Sequence, residues 1–258
     1  MLKKVYKERL NLAKEARESL SHKEGILVGL PHFNDRGMHL SNFANCLLNR
    51  QLDIFDDAIF LLENDRIPSA CTISRGMIET HAFAKLLATK VAKTLNAKSG
   101  KESAEEALDL VIKFINSSRI KETEQKKIKK GVYDPNDYQF TDQAKYRFEN
   151  MLAASEHVMN ALRDVYKNEM KFSGEKQSQI EMAYDLLSEW VHPSQTSIFH
   201  NYVPDTHNVP TSLGRVNIFD NAKLQCATAL AFIVEAADIH ATMTAMAEEI
   251  TKRDSQAS

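Results

Sequence analysis

The chain has 258 residues, 43% of them hydrophobic and 26% charged, enough to bury a sizeable core near the upper size that one core serves. A formal net charge of -2 gives no global attraction to nucleic acid, and 8 Gly and 6 Pro are too few for a many-stranded fold with its frequent turns. The cysteines Cys46, Cys71 and Cys226 are odd in number, widely spaced and without a CxxC pair, so they read as free thiols in a reducing cytoplasm rather than as a zinc or redox motif.

The first helix is predicted from Leu2, Val5, Tyr6, Leu12, Ala13, Ala16 and Leu20, which recur at helical spacing, and it is expected to end near Gly25. Charges run throughout this segment, leaving no apolar stretch of signal-peptide length. The longest apolar run, Cys226 to Val234, is too short for a bilayer span, so export and membrane insertion are not expected and the location is read as cytoplasmic. The stretch GILVGLPHFNDRGMHL reads as a loop. Ser41 is the expected N-cap of a second helix whose apolar face is Phe43, Leu47, Ile54, Phe55, Ala58, Leu61 and Leu62, ended by Asn64, Asp65 and Pro68.

Pro68 suits the first turn of a third helix, where its missing N–H has no helical partner in any case, and this helix should run to about Leu95, with Gly100 closing it. Ser103 with Glu106 reads as a capping box opening a fourth helix through Ala107, Val111 and Phe114. That helix leads into Arg119 to Lys130, which holds six basic and two acidic residues; a solvated helix or linker is the ordinary reading, and Lys126, Lys127, Lys129 and Lys130 are the RNA-facing alternative. After YDPNDY a long helix should carry Phe148, Met151, Leu152, Val158, Met159, Leu162 and Tyr166 until FSGEK breaks it, and a further helix should run from about Glu175 to Val191. Pro193 stops that helix at His192, and a long irregular or short-hairpin loop follows near residues 193–218. The last helix is expected from Asp220 to about Ile250, with TKRDSQAS as a frayed tail. The predicted fold is therefore an all-α bundle of about six to eight helices in a single domain, with residues 1–38 as an N-terminal helix and loop, 39–250 as the main bundle and 251–258 as the tail.

Two segments could carry chemistry. In IPSACTISRGMIETHAFAKLLA, Arg75 and Glu79 stand four apart and can pair on one helical face, while His81 is turned roughly 120° from Arg75 at about 100° per residue. A partly buried structural ion pair is the ordinary reading of Arg75 and Glu79. In EMAYDLLSEWVHPS, Glu181, Asp185, Ser188 and His192 make a polar stripe opposite Ile180, Ala183, Leu187, Trp190 and Val191. A mid-helix Ser188 without nearby glycines lacks the strained presentation and oxyanion hole that a nucleophile needs. Glu189 and His192 form an ExxH without a second one, and His32, His39 and Cys46 are spaced by seven across Pro31 and Gly37, so no metal site and no cofactor are expected.

The pairing of IPSA…SRGMIETHAFAKLLA with the later YDLLSEWVHPS resembles the DUF5677 family of bacterial helical proteins, from about residue 40 to about residue 195. That family is in turn similar, distantly, to the HEPN helical superfamily, many of whose members are metal-independent ribonucleases of toxin, CRISPR or phage-defence systems. The HEPN signature is an Arg, four to six residues, then a His, and Arg75 to His81 fits with five between; Gly76 stands where Asn, Asp or His commonly follows that Arg. The resemblance implies RNA as substrate, a homodimer that completes the site, His81 as acid and base, and Arg75 on the scissile phosphate. His192, beside a helix end, is the alternative imidazole. The competing expectation is a non-catalytic binding or regulatory module with a protein partner, in which Arg75, Glu79, Tyr184, Ser188 and His192 form a polar network and the loop after Pro193 recognises the partner.

Overall fold

The computed structural model of the chain describes residues 2–24, 35–115, 156–199, 202–204, 213–215 and 219–255. The fold is all-α and multi-helical. Among the described residues, α1 is Leu2–Glu18, α2 Arg36–Glu63, α3 Ile67–Ala97, α4 Gly100–Ile115, α5 Val158–Ser173, α6 Gln179–Glu189, α7 the short Gln195–Phe199, α8 Asp220–Leu230 and α9 Ile233–Ser255. Between α7 and α8, β1 (Tyr202–Pro204) pairs antiparallel with β2 (Leu213–Arg215), with Val203 opposite Gly214. A long irregular or short-hairpin loop was expected near residues 193–218; the described part of it holds both the short helix α7 and this ribbon.

Several helix boundaries have visible causes. Asp65 adopts φ 54 between α2 and α3, so the chain reverses there, and Pro68 lies in the first turn of α3 as expected. Gly174, at φ 72, follows the last residue of α5, a conformation that a residue with a Cβ adopts only with strain. Ser178 caps α6 by accepting a hydrogen bond from the Glu181 N–H at 2.9 Å.

Other boundaries differ from the sequence reading. The α2 N-cap is not Ser41, which lies inside the helix; Asp35 Oδ1 accepts the N–H groups of Gly37 at 2.9 Å and Met38 at 3.2 Å, one and a half turns earlier. The Ser103/Glu106 capping box does not form, because α4 already begins at Gly100: the Ser103 hydroxyl is buried and donates to the Gly100 carbonyl at 2.7 Å, and Glu106 pairs with Lys98 at 3.0 Å. Helix α1 stops at Glu18, where the Ser19 hydroxyl takes the Ala16 carbonyl at 2.7 Å. The single last helix is two, α8 and α9, separated by a turn at Ala231 and Phe232. Its tail is not frayed as far as Ser255: Thr251 donates to Asp35 at 2.7 Å, and Arg253 Nη1 donates to the carbonyls of Leu95 and Lys98 at 2.8 and 2.9 Å. By length and composition alone, Asp220–Ser255 could cross a membrane, at mean hydropathy 1.3 over its most apolar stretch; here it supplies the buried residues Leu230, Ile233, Met243 and Ile250.

The chain packs as two compact units, each assembled from three separate stretches. Unit 1 comprises Met1–Lys23, Leu47–His81 and Val165–Ala237, and unit 2 comprises Glu24–Cys46, Ala82–Asp164 and Asp238–Ser258. In unit 1, α8 packs against both α1 and α6, over a core that includes Leu52, Ile67, Met77, Ile78, Leu187, Leu230 and Ile233, all fully buried. Each such side chain contributes about 1.5–3 kcal/mol by leaving water. In unit 2 the fully buried large residues are Leu40, Leu87, Phe114 and Leu162. Phe83 stacks obliquely on Phe114 at 4.6 Å, and Gly37 sits where an added Cβ would lie 2.1 Å from the Ala247 carbonyl oxygen.

Candidate functional site

Helices α3 and α6 bring together the polar residues that the sequence singled out in unit 1. Arg75 Nε donates to Glu79 Oε1 at 3.0 Å, one helical turn along α3. From α6, Tyr184 closes the group: Arg75 Nη2 donates to its hydroxyl at 2.8 Å, and that hydroxyl donates to Glu79 Oε1 at 3.0 Å. The Arg75 guanidinium carbon also lies 4.9 Å from the centroid of the Tyr184 ring, within cation–π range. The Tyr184 phenol, the Glu79 carboxylate and the Arg75 guanidinium thus form a closed triangle that links residues 109 positions apart in sequence.

Its electrostatics follow from its partial burial. The Arg75 and Glu79 side chains are 24% and 30% exposed. Burial pushes the Arg75 guanidinium down, but the Glu79 carboxylate and the Tyr184 hydroxyl outweigh it and hold its pKa above the ordinary value. The Tyr184 phenol is raised by burial first and then by Glu79, against the pull of Arg75, so it stays protonated and can serve as a donor. Tyr166, on α5, brings a second phenol toward the same group. It is buried, its hydroxyl has no hydrogen-bond partner among the described residues, and its pKa is raised by burial and then by Tyr184, Asp185, Glu181 and Glu79. The sequence placed Tyr166 on an apolar helix face and gave no sign of this role.

His81 is not part of this triangle. It is 0% exposed, its ring stacks on Phe232 at 4.1 Å with 22° between the planes, and its Nε2 lies 3.6 Å from a Glu235 carboxylate oxygen. The buried stripe of α3 explains the placement: Ala70, Cys71, Ser74, Met77, Ile78 and His81 recur three or four apart and face the core, with Arg75 and Glu79 beside them. The roughly 120° rotation expected between Arg75 and His81 separates a half-exposed ion pair from an interior imidazole.

The second segment is only partly the stripe that was expected. On α6 the buried residues are Ala183, Tyr184 and Leu187; Asp185 is exposed, and so is Val191, which lies beyond the helix end at Glu189 and was expected on the buried side. The Ser188 hydroxyl donates to the Tyr184 carbonyl at 2.7 Å, an ordinary bond back along a helix and not the presentation of a nucleophile. The exposed His192 offers its carbonyl to the Ser197 hydroxyl at 2.6 Å and to the Ser194 N–H at 2.7 Å, which shapes the turn after α6.

Lys126, Lys127, Lys129 and Lys130 lie outside the described residues, as does His32. His39 and Cys46 both lie on α2, which Gly37 does not interrupt. Among the described residues, no group of three or more His, Cys, Asp or Glu side chains is placed to hold a metal ion. One further contact was invisible in the sequence: Cys71 and Cys226, both fully buried, meet with their sulfurs 3.6 Å apart. No protein-family model matches this chain, and no curated protein or solved structure is significantly similar to it, so the resemblance to the DUF5677 and HEPN groups stands on the quoted motifs alone.

Proposed function

We propose that this protein is a non-catalytic helical binding or regulatory module, whose Arg75–Glu79–Tyr184 triangle fixes the register of α3 against α6. One observation carries the reading: the positive charge of Arg75 is already taken up by Glu79 at 2.9 Å and by the Tyr184 hydroxyl. A phosphate brought to Arg75 would have to displace that carboxylate or sit beside it, and either costs the electrostatic gain that phosphate binding needs. The burial of His81 supports the same conclusion, because an imidazole with no solvent-accessible surface does not reach a ribose hydroxyl. The exposed Ile198 and Phe199 on α7, directly after Pro193, support a protein partner for this part of unit 1.

A second reading, the metal-independent HEPN-like ribonuclease acting as a homodimer, is supported by a single observation: His192 is an exposed imidazole just beyond the end of α6, the helix that carries Tyr184. The two readings separate in one experiment. Purified protein is incubated with structured and single-stranded RNA in EDTA, alongside His81→Ala and His192→Ala variants shown to be folded. The binding-module reading expects intact RNA with all three proteins. Cleavage by the wild type that is lost in folded His192→Ala would replace it with the nuclease.

A further inference from the structure

We propose that Cys71 and Cys226 form an oxidation site, a buried thiol pair that a small neutral peroxide converts into a disulfide pinning α3 to α8 within unit 1. The sulfurs belong to residues 155 positions apart, are 0% exposed and touch at 3.6 Å, with the Cys226 thiol donating toward the Cys71 sulfur. Both are free thiols. A disulfide needs about 2.05 Å between its sulfurs, so closing the bond asks for an approach of about 1.5 Å from atoms already in contact. The sequence neighbours Ala70 and Ala227 are small and, like the pair, fully buried.

The chemistry balances with hydrogen peroxide as oxidant. On local opening one thiol gives up its proton and the thiolate attacks a peroxide oxygen; the O–O bond breaks, the departing hydroxide takes up that proton and leaves as water, and the sulfur becomes a sulfenic acid. The second thiol attacks that sulfur, the S–O bond breaks, a second water leaves, and the S–S bond forms. Two thiols lose two electrons and the peroxide gains them. Rate is limited by burial. The Cys71 thiol is held well above its ordinary pKa by the Cys226 contact and by desolvation, so it carries no thiolate at rest and reacts only when the local structure opens. Cys46, exposed on α2, is the internal reference: every reagent reaches it first, and a small neutral oxidant needs the least opening to reach the buried pair.

The pair would therefore act as a slow latch rather than as an exchange catalyst. Once closed, it joins segments separated by 155 residues and removes a large share of the unfolded chain's freedom.

The test uses the full chain and the Cys46→Ser variant, which removes the exposed competitor. Reduced protein is exposed to hydrogen peroxide under native conditions, blocked with N-ethylmaleimide in denaturant, and analysed by intact mass and by peptide mapping. The proposal expects a monomeric product with the Cys71 and Cys226 peptides linked, no maleimide on either, reversal by dithiothreitol, and a rise in Tm of about 5–10 °C that Cys71→Ser and Cys226→Ser each abolish. It is overturned by two free, alkylatable thiols in Cys46→Ser after native exposure to peroxide continued well beyond the point at which Cys46 in the wild type is fully oxidised. Overoxidation of either sulfur without a link also overturns it, as does a link that forms only in urea.

Discussion

Replacing Arg75 by alanine removes the charged corner of the Arg75–Glu79–Tyr184 triangle, and the cost can be worked from its geometry. Two hydrogen bonds disappear, at 3.0 Å to Glu79 and 2.8 Å to Tyr184, together with the stacking of the guanidinium over the phenol ring at 4.9 Å. Breaking a fully buried ion pair costs about 3–5 kcal/mol and breaking an exposed one about 0–1 kcal/mol. With Arg75 and Glu79 24% and 30% exposed, the stranded carboxylate recovers part of its hydration, which places Arg75→Ala at about 2 kcal/mol. In a chain of this size that lowers Tm by about 4–8 °C. Tyr184→Phe deletes the shared hydroxyl and should cost about 1 kcal/mol. Both changes remove the same 2.8 Å bond, so the double variant should be less destabilised than the sum of the two by about 1 kcal/mol. Urea unfolding followed by far-ultraviolet circular dichroism measures all three. Were Arg75→Ala to match the wild type within about 0.5 kcal/mol, with strict additivity in the double variant, the triangle would not be structural and the argument against a free, phosphate-binding Arg75 would collapse.

Two glycines give opposite expectations. Gly37→Ala drives a Cβ to 2.1 Å from the Ala247 carbonyl oxygen and 2.3 Å from Thr251 Oγ1, and should cost about 3 kcal/mol in urea unfolding, whereas Gly76→Ala meets only Ile54 Cδ1 at 3.5 Å and should stabilise by about 0.5–1 kcal/mol. A neutral Gly37→Ala would refute the close approach of α2 and α9 there. For pH dependence, burial pushes the Glu156 carboxyl up, but the Lys90 ammonium, the Asn160 amide and the His157 backbone N–H outweigh it and hold the carboxyl below its ordinary value near 4.5. A depressed folded-state pKa means that this stabilisation is present above the ordinary value and is lost as pH falls through the folded one. Glu156→Gln should therefore be less stable than the wild type at neutral pH, and the gap should narrow as pH falls below the ordinary carboxyl value and through the depressed folded one in a series of denaturant titrations; a gap independent of pH would sink the assignment.

Helix content and most breaks were legible because their causes are local. Pro68 and the Asn64–Asp65 pair mark the α2–α3 turn, Gly174 marks the end of α5, and Pro193 marks the end of the α6 segment, and each acts through its own backbone. Capping was misread where two candidates competed. Ser41 and Ser103 are good caps in isolation, yet Asp35 and the Gly100 turn start their helices earlier, and what favours the earlier start is packing around Gly37 and Ser103 that lies far away in sequence. The candidate site divides in the same way. The Arg75–Glu79 pair is an i, i+4 relation and could be read directly, but its third member, Tyr184, comes from a different helix, and nothing local announces the meeting. The burial of His81 is a local property, since it continues the Ala70, Ser74, Met77 and Ile78 stripe, whereas the Arg75 to His81 spacing alone says nothing about which side of the helix meets solvent. Cys71 belongs to the same stripe, but its meeting with Cys226 joins residues 155 positions apart and has no local sign.

The interleaving of the two units bears on how the chain reaches its folded state. Unit 1 joins residues 1–23 to residues 165–237, and unit 2 joins residues 24–46 to residues 238–258. A nascent polypeptide leaving the ribosome cannot complete either core until more than two hundred residues have emerged, so early helices such as α1 must wait with their apolar faces uncovered. The same long separations raise contact order, which slows the search for the native topology and leaves the growing chain open to aggregation. Interleaving also means that no single cut yields a fragment containing one whole unit and nothing of the other.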